Sequence, residues 1–222
     1  LINLTELSIL LKMCQNSKRL KEYSKCYTGE IDLSLDKKYV RLENNFHKML
    51  RGAQVQRFYL TDDISQGDIL YLDSDLYLSE VSSPRSKHHS NQRIVMQGIT
   101  GVNERYRLKM AISPKGIFCA NSVNYLLINE NIECFLGILN SNLLNWFFKK
   151  LSTNSNVNGY EVDNLPITMA DSKTVLKLKK HVIDLLSSSD LNKAALEKTI
   201  NMLVYSIYRL TDEEIELVEN SI

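Results

Sequence analysis

The chain of 222 residues carries 27 Lys and Arg against 26 Asp and Glu, a formal net charge of +1, so overall charge argues neither for nor against a polyanionic partner. An apolar fraction of 44%, with eight Gly and three Pro, suffices for a buried core and excludes a low-complexity or disordered chain. The four cysteines (Cys14, Cys26, Cys119, Cys134) lack the close pairing of a zinc knuckle or redox site and read as reduced thiols, mostly buried.

In chain order, residues 4–13 have apolar side chains at helical spacing behind Thr5 as a cap. Residues 55–60 follow the Arg51-Gly52-Ala53 turn as a strand, and residues 69–72 follow Gly67-Asp68 as another. Residues 82–92 are polar and rich in breakers, hence an exposed loop. Residues 93–99 and 106–112 alternate as strands, with Gly101 in the link. Residues 113–116 make a turn, and 117–119 and 124–128 are short strands. From Glu133 to Lys149 apolar residues recur at three- and four-residue spacing, which predicts a single buried helix. An Asn-rich loop, 151–160, leads to Leu165-Pro166-Ile167. Two amphipathic helices, 171–186 and 191–210, follow, and a capping box from Thr211 to Glu214 opens a last short one. The expectation is an α+β fold. A mixed, mainly antiparallel β core with a buried helix spans residues 1–168, and a helical C-terminal segment spans 169–222.

Several chemistries are missing. There is no Gly-rich phosphate loop and no Gly-x-Ser-x-Gly elbow. The prolines Pro84, Pro114 and Pro166 stand alone, so no Pro-Pro-aromatic loop can grip a flipped base. Asp36-Lys37-Lys38 and Asp171-Ser172-Lys173 have Asp-x-Lys spacing but do not lie on strands. His88-His89 is read as two exposed imidazoles, because no Cys, Asp or Glu nearby completes a metal site. The chain is therefore expected to have no catalytic residue, no metal and no cofactor of its own. No run of about 18 apolar residues predicts a membrane span and no signal peptide is seen, so a cytoplasmic location is expected. The start at Leu1 suggests a piece of a longer protein.

Charge is unevenly distributed. Residues 61–80 hold six acids and no Lys or Arg; residues 82–115 hold seven bases against Glu104 alone; residues 211–222 hold five acids and no base. A near-neutral chain can in this way present one cationic face.

Five segments carry a resemblance. They are Met49-Leu50-Arg51-Gly52-Ala53-Gln54-Val55-Gln56-Arg57-Phe58, Arg93 to Thr100, and Leu136-Gly137-Ile138-Leu139-Asn140-Ser141 with its continuation to Phe148. Asn158-Gly159-Tyr160 through Leu165-Pro166-Ile167 is the fourth, and Ile200 to Ile215 the last. In this order they resemble the TaqI-like C-terminal specificity (target recognition) domains of type II, type IIG-like, restriction-modification methyltransferases. These are similar to half of a type I specificity subunit. Residues 1–48 match only loosely.

The resemblance implies a sequence-specific reader of double-stranded DNA in bacterial defence, positioning a separate methyltransferase or endonuclease module. S-adenosylmethionine and Mg²⁺ would then belong to the parent enzyme. A protein-interaction scaffold is the alternative. On this reading the DNA-binding candidates are Arg85, Lys87, Asn91 and Arg93, then Arg105, Arg107 and Lys109, then Asn154, Asn156 and Asn158. Arg and Asn can bond base edges bidentately and Lys neutralises phosphate. Arg105, Arg107 and Lys109 would share one strand face, as a phosphate-tracking stripe or a plain solvent face. Arg51 and Arg57 would pair with the acidic stretch 62–80. The expectation uniting these candidates is that all three loops converge into one cationic surface, away from an acidic helical tail that does not read.

Overall fold

The computed structural model describes residues 3–15, 17–64 and 67–222. Its helices are α1 (Leu4–Gln15), α2 (Ser74–Glu80), α3 (Ile132–Leu139), α4 (Asn142–Leu151), α5 (Gly159–Asp163), α6 (Ser172–Ser187), α7 (Asp190–Ile207) and α8 (Asp212–Asn220). Its strands are β1 (Lys18–Arg19), β2 (Cys26–Thr28), β3 (Val40–Arg41), β4 (His47–Leu50), β5 (Leu70–Leu72), β6 (Arg93–Gln97), β7 (Met110–Ser113), β8 (Phe118–Cys119), β9 (Val123–Leu126) and β10 (Pro166–Ile167).

The β6 segment shows why these residues form the middle of the molecule. Every one of its five residues is buried, so both faces of the strand are covered. Alternation assigns the faces. Ile94 and Met96, with Met110 of β7 and Leu126 of β9, face a helical core containing Phe135, Leu139 and Leu143. Val95, Ala111 and Tyr125 point the other way, onto Leu50, Val55 and Cys119. The main sheet has the order β2-β9-β6-β7 and is antiparallel throughout. A second sheet, β3-β5-β4-β8, lies on its far side, with β4 and β8 parallel. The molecule is therefore layered as helices, sheet and sheet, the expected α+β fold.

The tail helices join the same core. Leu178 and Val182 of α6, Ile200 and Val204 of α7, and Val218 of α8 are buried with Phe135 and Leu136 of α3. Gly137 allows the α3–α6 approach, since a Cβ there would lie 2.8 Å from Val182 Cγ2. The N-terminal helix closes on the tail through the Lys12–Glu214 ion pair of 2.7 Å.

The helices 171–186, 191–210 and 212 onward match expectation within a few residues, and Thr211 and Glu214 form the capping box. Three expectations are corrected. The single helix over 133–149 is broken at Asn140–Ser141, where the Ser141 hydroxyl accepts from Leu144 N and starts α4. Residues 55–60 form one isolated bridge, Val55 to Leu60, around Phe58 at φ 71°, rather than a strand. Residues 106–109 are not strand either: the amides of Arg107 and Leu108 both donate to Asn145 Oδ1 on α4.

Candidate nucleic-acid interface

Two of the three predicted loops meet. The β6–β7 hairpin continues past its last strand pair, with Gln97 N donating to Lys109 O, into a loop over residues 98–109. Along the first limb of that loop runs the Asn-rich segment 152–158. Ile99 and Asn156 form a bridge, Thr100 N donates to Ser155 O, and Val157 N donates to Gly98 O. The side chain of Arg107 fastens the two together. Its Nε donates to Thr100 Oγ1 at 3.3 Å, Nη1 to Ser152 O at 3.1 Å and Nη2 to Asn154 O at 2.6 Å, over the Phe148 ring. Arg107 is 1% exposed, and with two loops to bond its guanidinium has become a joint rather than a ligand.

The hairpin's other limb is held by amides. Asn145 accepts from Arg107 N and Leu108 N and donates to Arg105 O; Asn140 accepts from Met110 N and donates to Met110 O. Both asparagines are fully buried on the helical layer. The polar side chains exposed at this end include Arg105, Asn154, Ser155 and Asn156, with Asn103 at the hairpin tip and Asn121 on the neighbouring turn, beside the exposed apolar side chains of Ile99 and Val102. Asn154 Oδ1 accepts from Asn156 N, which fixes the loop locally. The one acid of the hairpin, Glu104, pairs with Lys109.

The third loop is elsewhere. Residues 84–90 form 3-10 turns capped by Ser83, at the beginning of β6. At ~3.3 Å per residue, the run from Arg93 to Thr100 puts on the order of 20 Å between this end of the sheet and the hairpin tip. Arg85, Lys87 and Asn91 are exposed here, and Lys115 lies beyond β7 on the same side. Arg93 is turned inward with no exposed surface. Its Nη1 meets Glu30 Oε1 at 2.6 Å, its guanidinium lies 4.4 Å from the Tyr125 ring, and Glu30 Oε2 accepts from Cys119 N. His88 Nδ1 is 2.8 Å from Tyr125 Oη, and His89 stacks on Phe118, so the two imidazoles support the turn instead of standing free.

A scan against family models matches the TaqI-like C-terminal specificity domain over residues 33–167. The chain belongs to that family. The matched stretch holds the second sheet, most of the main sheet, α3 and α4, and both loops of the amide-rich end. No curated protein matches the chain. Among solved structures, the fold is similar to the type IIL restriction-modification enzyme MmeI, solved in complex with DNA. The TM-score is 0.59 at 9% identity, over 89% of this chain and 35% of that one. The chain therefore spans about a third of the length of that enzyme.

Within the specificity domain, the ten predicted site residues fall into three groups. Arg105, Asn154 and Asn156 are brought together and exposed. Arg85, Lys87 and Asn91 are exposed at the opposite end of the sheet, so the expectation of one surface from all three loops is corrected. Arg93 and Arg107 are buried, Lys109 is paired with Glu104, and Asn158 bonds Glu161 to cap α5. These four are occupied in holding the fold, because a guanidinium or amide removed from water needs its partners inside. Arg57 also departs from expectation. It pairs with Glu197 of α7 at 2.8 Å and donates to Asn140 O, while Arg51 reaches only the carbonyl of Asp68. Asn140, Asn145 and Asn121 were not singled out in the sequence. An Asn inside an apolar helical run was the available signal for the first two. The thiols of Cys26 and Cys119 are pushed up to about 12 by burial and that of Cys134 to about 11, which leaves them unreactive. Among the described residues, no group of three His, Cys, Asp or Glu could hold a metal ion, and no helix is long and apolar enough to cross a membrane.

Proposed function

We propose that this chain reads duplex DNA for a restriction-modification enzyme, with the hairpin 98–109 and the loop 152–158 as its reading surface. The observation that carries the proposal is the joint at Arg107. In a domain of the specificity family, it holds two exposed, amide-rich loops in one fixed relation. Asn can bond adenine and Arg guanine at the major-groove edge, and rigid presentation is what converts such groups into discrimination. MmeI, of similar fold, was solved with DNA, which supports the same ligand for this chain. The methyltransferase and endonuclease modules, with S-adenosylmethionine and Mg²⁺, would be carried elsewhere in the parent enzyme. A cytoplasmic location follows from that role.

The test is selection of bound duplexes from a randomised pool. A recovered consensus that Asn156→Ala or Arg105→Ala alters supports the reading. A pool that stays random after several rounds overturns it.

A further inference from the structure

Beside the reading surface, and sharing Arg105 with it, the hairpin borders a groove. About 810 Å³ in volume, it lies between Arg105-Tyr106 and helices α7 and α8. Four cations line it, Arg57, Arg105, Lys193 and Lys198, against two carboxylates, Glu197 and Glu219. Both carboxylates are already engaged. Glu197 is paired with Arg57, and Glu219 accepts from Asn142 Nδ2 and from the Tyr205 hydroxyl. Arg57 lies 3.8 Å over the Tyr106 ring and Arg105 lies 5.2 Å from it, so two guanidiniums are stacked at one rim. Lys198 is exposed on the facing helix. Two lining residues, Arg57 and Asn142, each keep a buried polar atom without a partner: Arg57 Nε and Asn142 Oδ1. Unpartnered buried polar atoms are uncommon, and here they border a cation-rich space.

We infer that this groove binds the phosphodiester backbone of the DNA held at the reading loops, with Lys198 as its exposed cation and Arg105 at the border it shares with the reading loops. The inference rests on the reading proposed above. It gives the tail helix α7 a part in DNA binding, against the expectation that the tail stands apart. The α8 carboxylate that lines the groove, Glu219, keeps its charge, but the four lining cations outnumber the two lining carboxylates. Phosphate contacts of this kind set register and orientation without reading sequence.

The test measures binding of the full chain to a mixed-sequence duplex of ~30 bp across a salt series. Lys198→Gln should reduce the slope of log K against log salt by about 0.9, the loss of one phosphate contact. Met202→Glu puts a carboxylate on the groove wall at a 47% exposed position that the fold does not depend on. It should weaken binding about tenfold at low salt through like-charge repulsion. Asn156→Ala should leave the slope unchanged. If the unaltered chain binds duplex and neither groove variant changes slope or affinity, the groove assignment is overturned and the reading stands. If the unaltered chain binds no duplex, the reading itself fails. If AMP binds with the same sensitivity to both variants while duplex binding is insensitive, the ligand is a mononucleotide and the inference is overturned.

Discussion

The two ends of the main sheet are made from similar residues and put them to different use. At the start of β6, Arg93 pairs with a buried carboxylate, Glu30, and also donates to Ile117 O, and the turns above it carry Arg85 and Lys87 over a lattice of His88, Tyr125 and Tyr27. At the other end, Arg107 faces no carboxylate within bonding distance. It bonds backbone and hydroxyl oxygens on two separate loops, and the exposed groups there include several amides beside Arg105. The first end is a rigid corner with cations on the outside; the second is a pair of loops held in register. A buried ion pair fixes one place in a fold, whereas a guanidinium shared among several acceptors fixes the relation between segments. The second arrangement suits a surface whose shape carries information.

Substitutions can break this contrast or sharpen it. The largest effect is expected at the corner. Glu30→Gln leaves Arg93 buried without its counter-charge and should cost about 3–5 kcal/mol of unfolding free energy in urea titration. A loss below about 1 kcal/mol would mean the pair is dispensable. Next comes Arg107→Met, which leaves the acceptors of the two loops unsatisfied. A loss of about 1–3 kcal/mol in stability is expected, with site preference falling more than affinity for mixed-sequence duplex. If preference survives intact, the loops do not need their joint.

Asn156→Ala removes an exposed amide and should leave stability unchanged while reducing discrimination at one base pair by about 1–3 kcal/mol. Arg85→Ala with Lys87→Ala should leave the recovered consensus as it is. A changed consensus from that double variant, and none from Asn156→Ala, would exchange the roles of the two ends. The smallest effect is in pH dependence. Burial, aided by Arg93 and Arg85 against the pull of Glu30, holds His88 below its ordinary value of 6.5. The folded state therefore favours the neutral ring. Its contribution is complete above pH 6.5 and is lost as the pH falls from there through the folded value. His88→Gln should flatten that part of a stability–pH curve measured by thermal melting.

Much of this architecture could be read from the residue pattern. The tail helices declared themselves through long 3.6-residue periodicity, and Thr211–Glu214 through its spacing. Strand β6 is legible as alternation over residues 93–99, and β9 as a short strand over 124–128. The failures share a physical cause: periodicity identifies a face, but not what the face meets. Arg93 and Arg107 looked like surface cations because a basic residue on a strand is usually solvated. Glu30, which decides the matter for Arg93, lies far off in the chain and carries no local mark. The break at Asn140–Ser141 was hidden because the apolar rhythm continues across it, although Ser141 is a good cap. The convergence of 98–109 with 152–158 was legible only as polarity. Their pairing depends on backbone bonds between segments far apart in the chain, Thr100 N to Ser155 O and Val157 N to Gly98 O.

Strand β7 ends the main sheet, and a bare sheet margin invites pairing with another molecule. Here Met110 presents its outward N–H and C=O to the side-chain amide of Asn140, and the same carbonyl also accepts from Phe58 N. The amide imitates the strand that would otherwise add on. At Met110, next to the hairpin, the sheet margin is in this way closed to strand exchange.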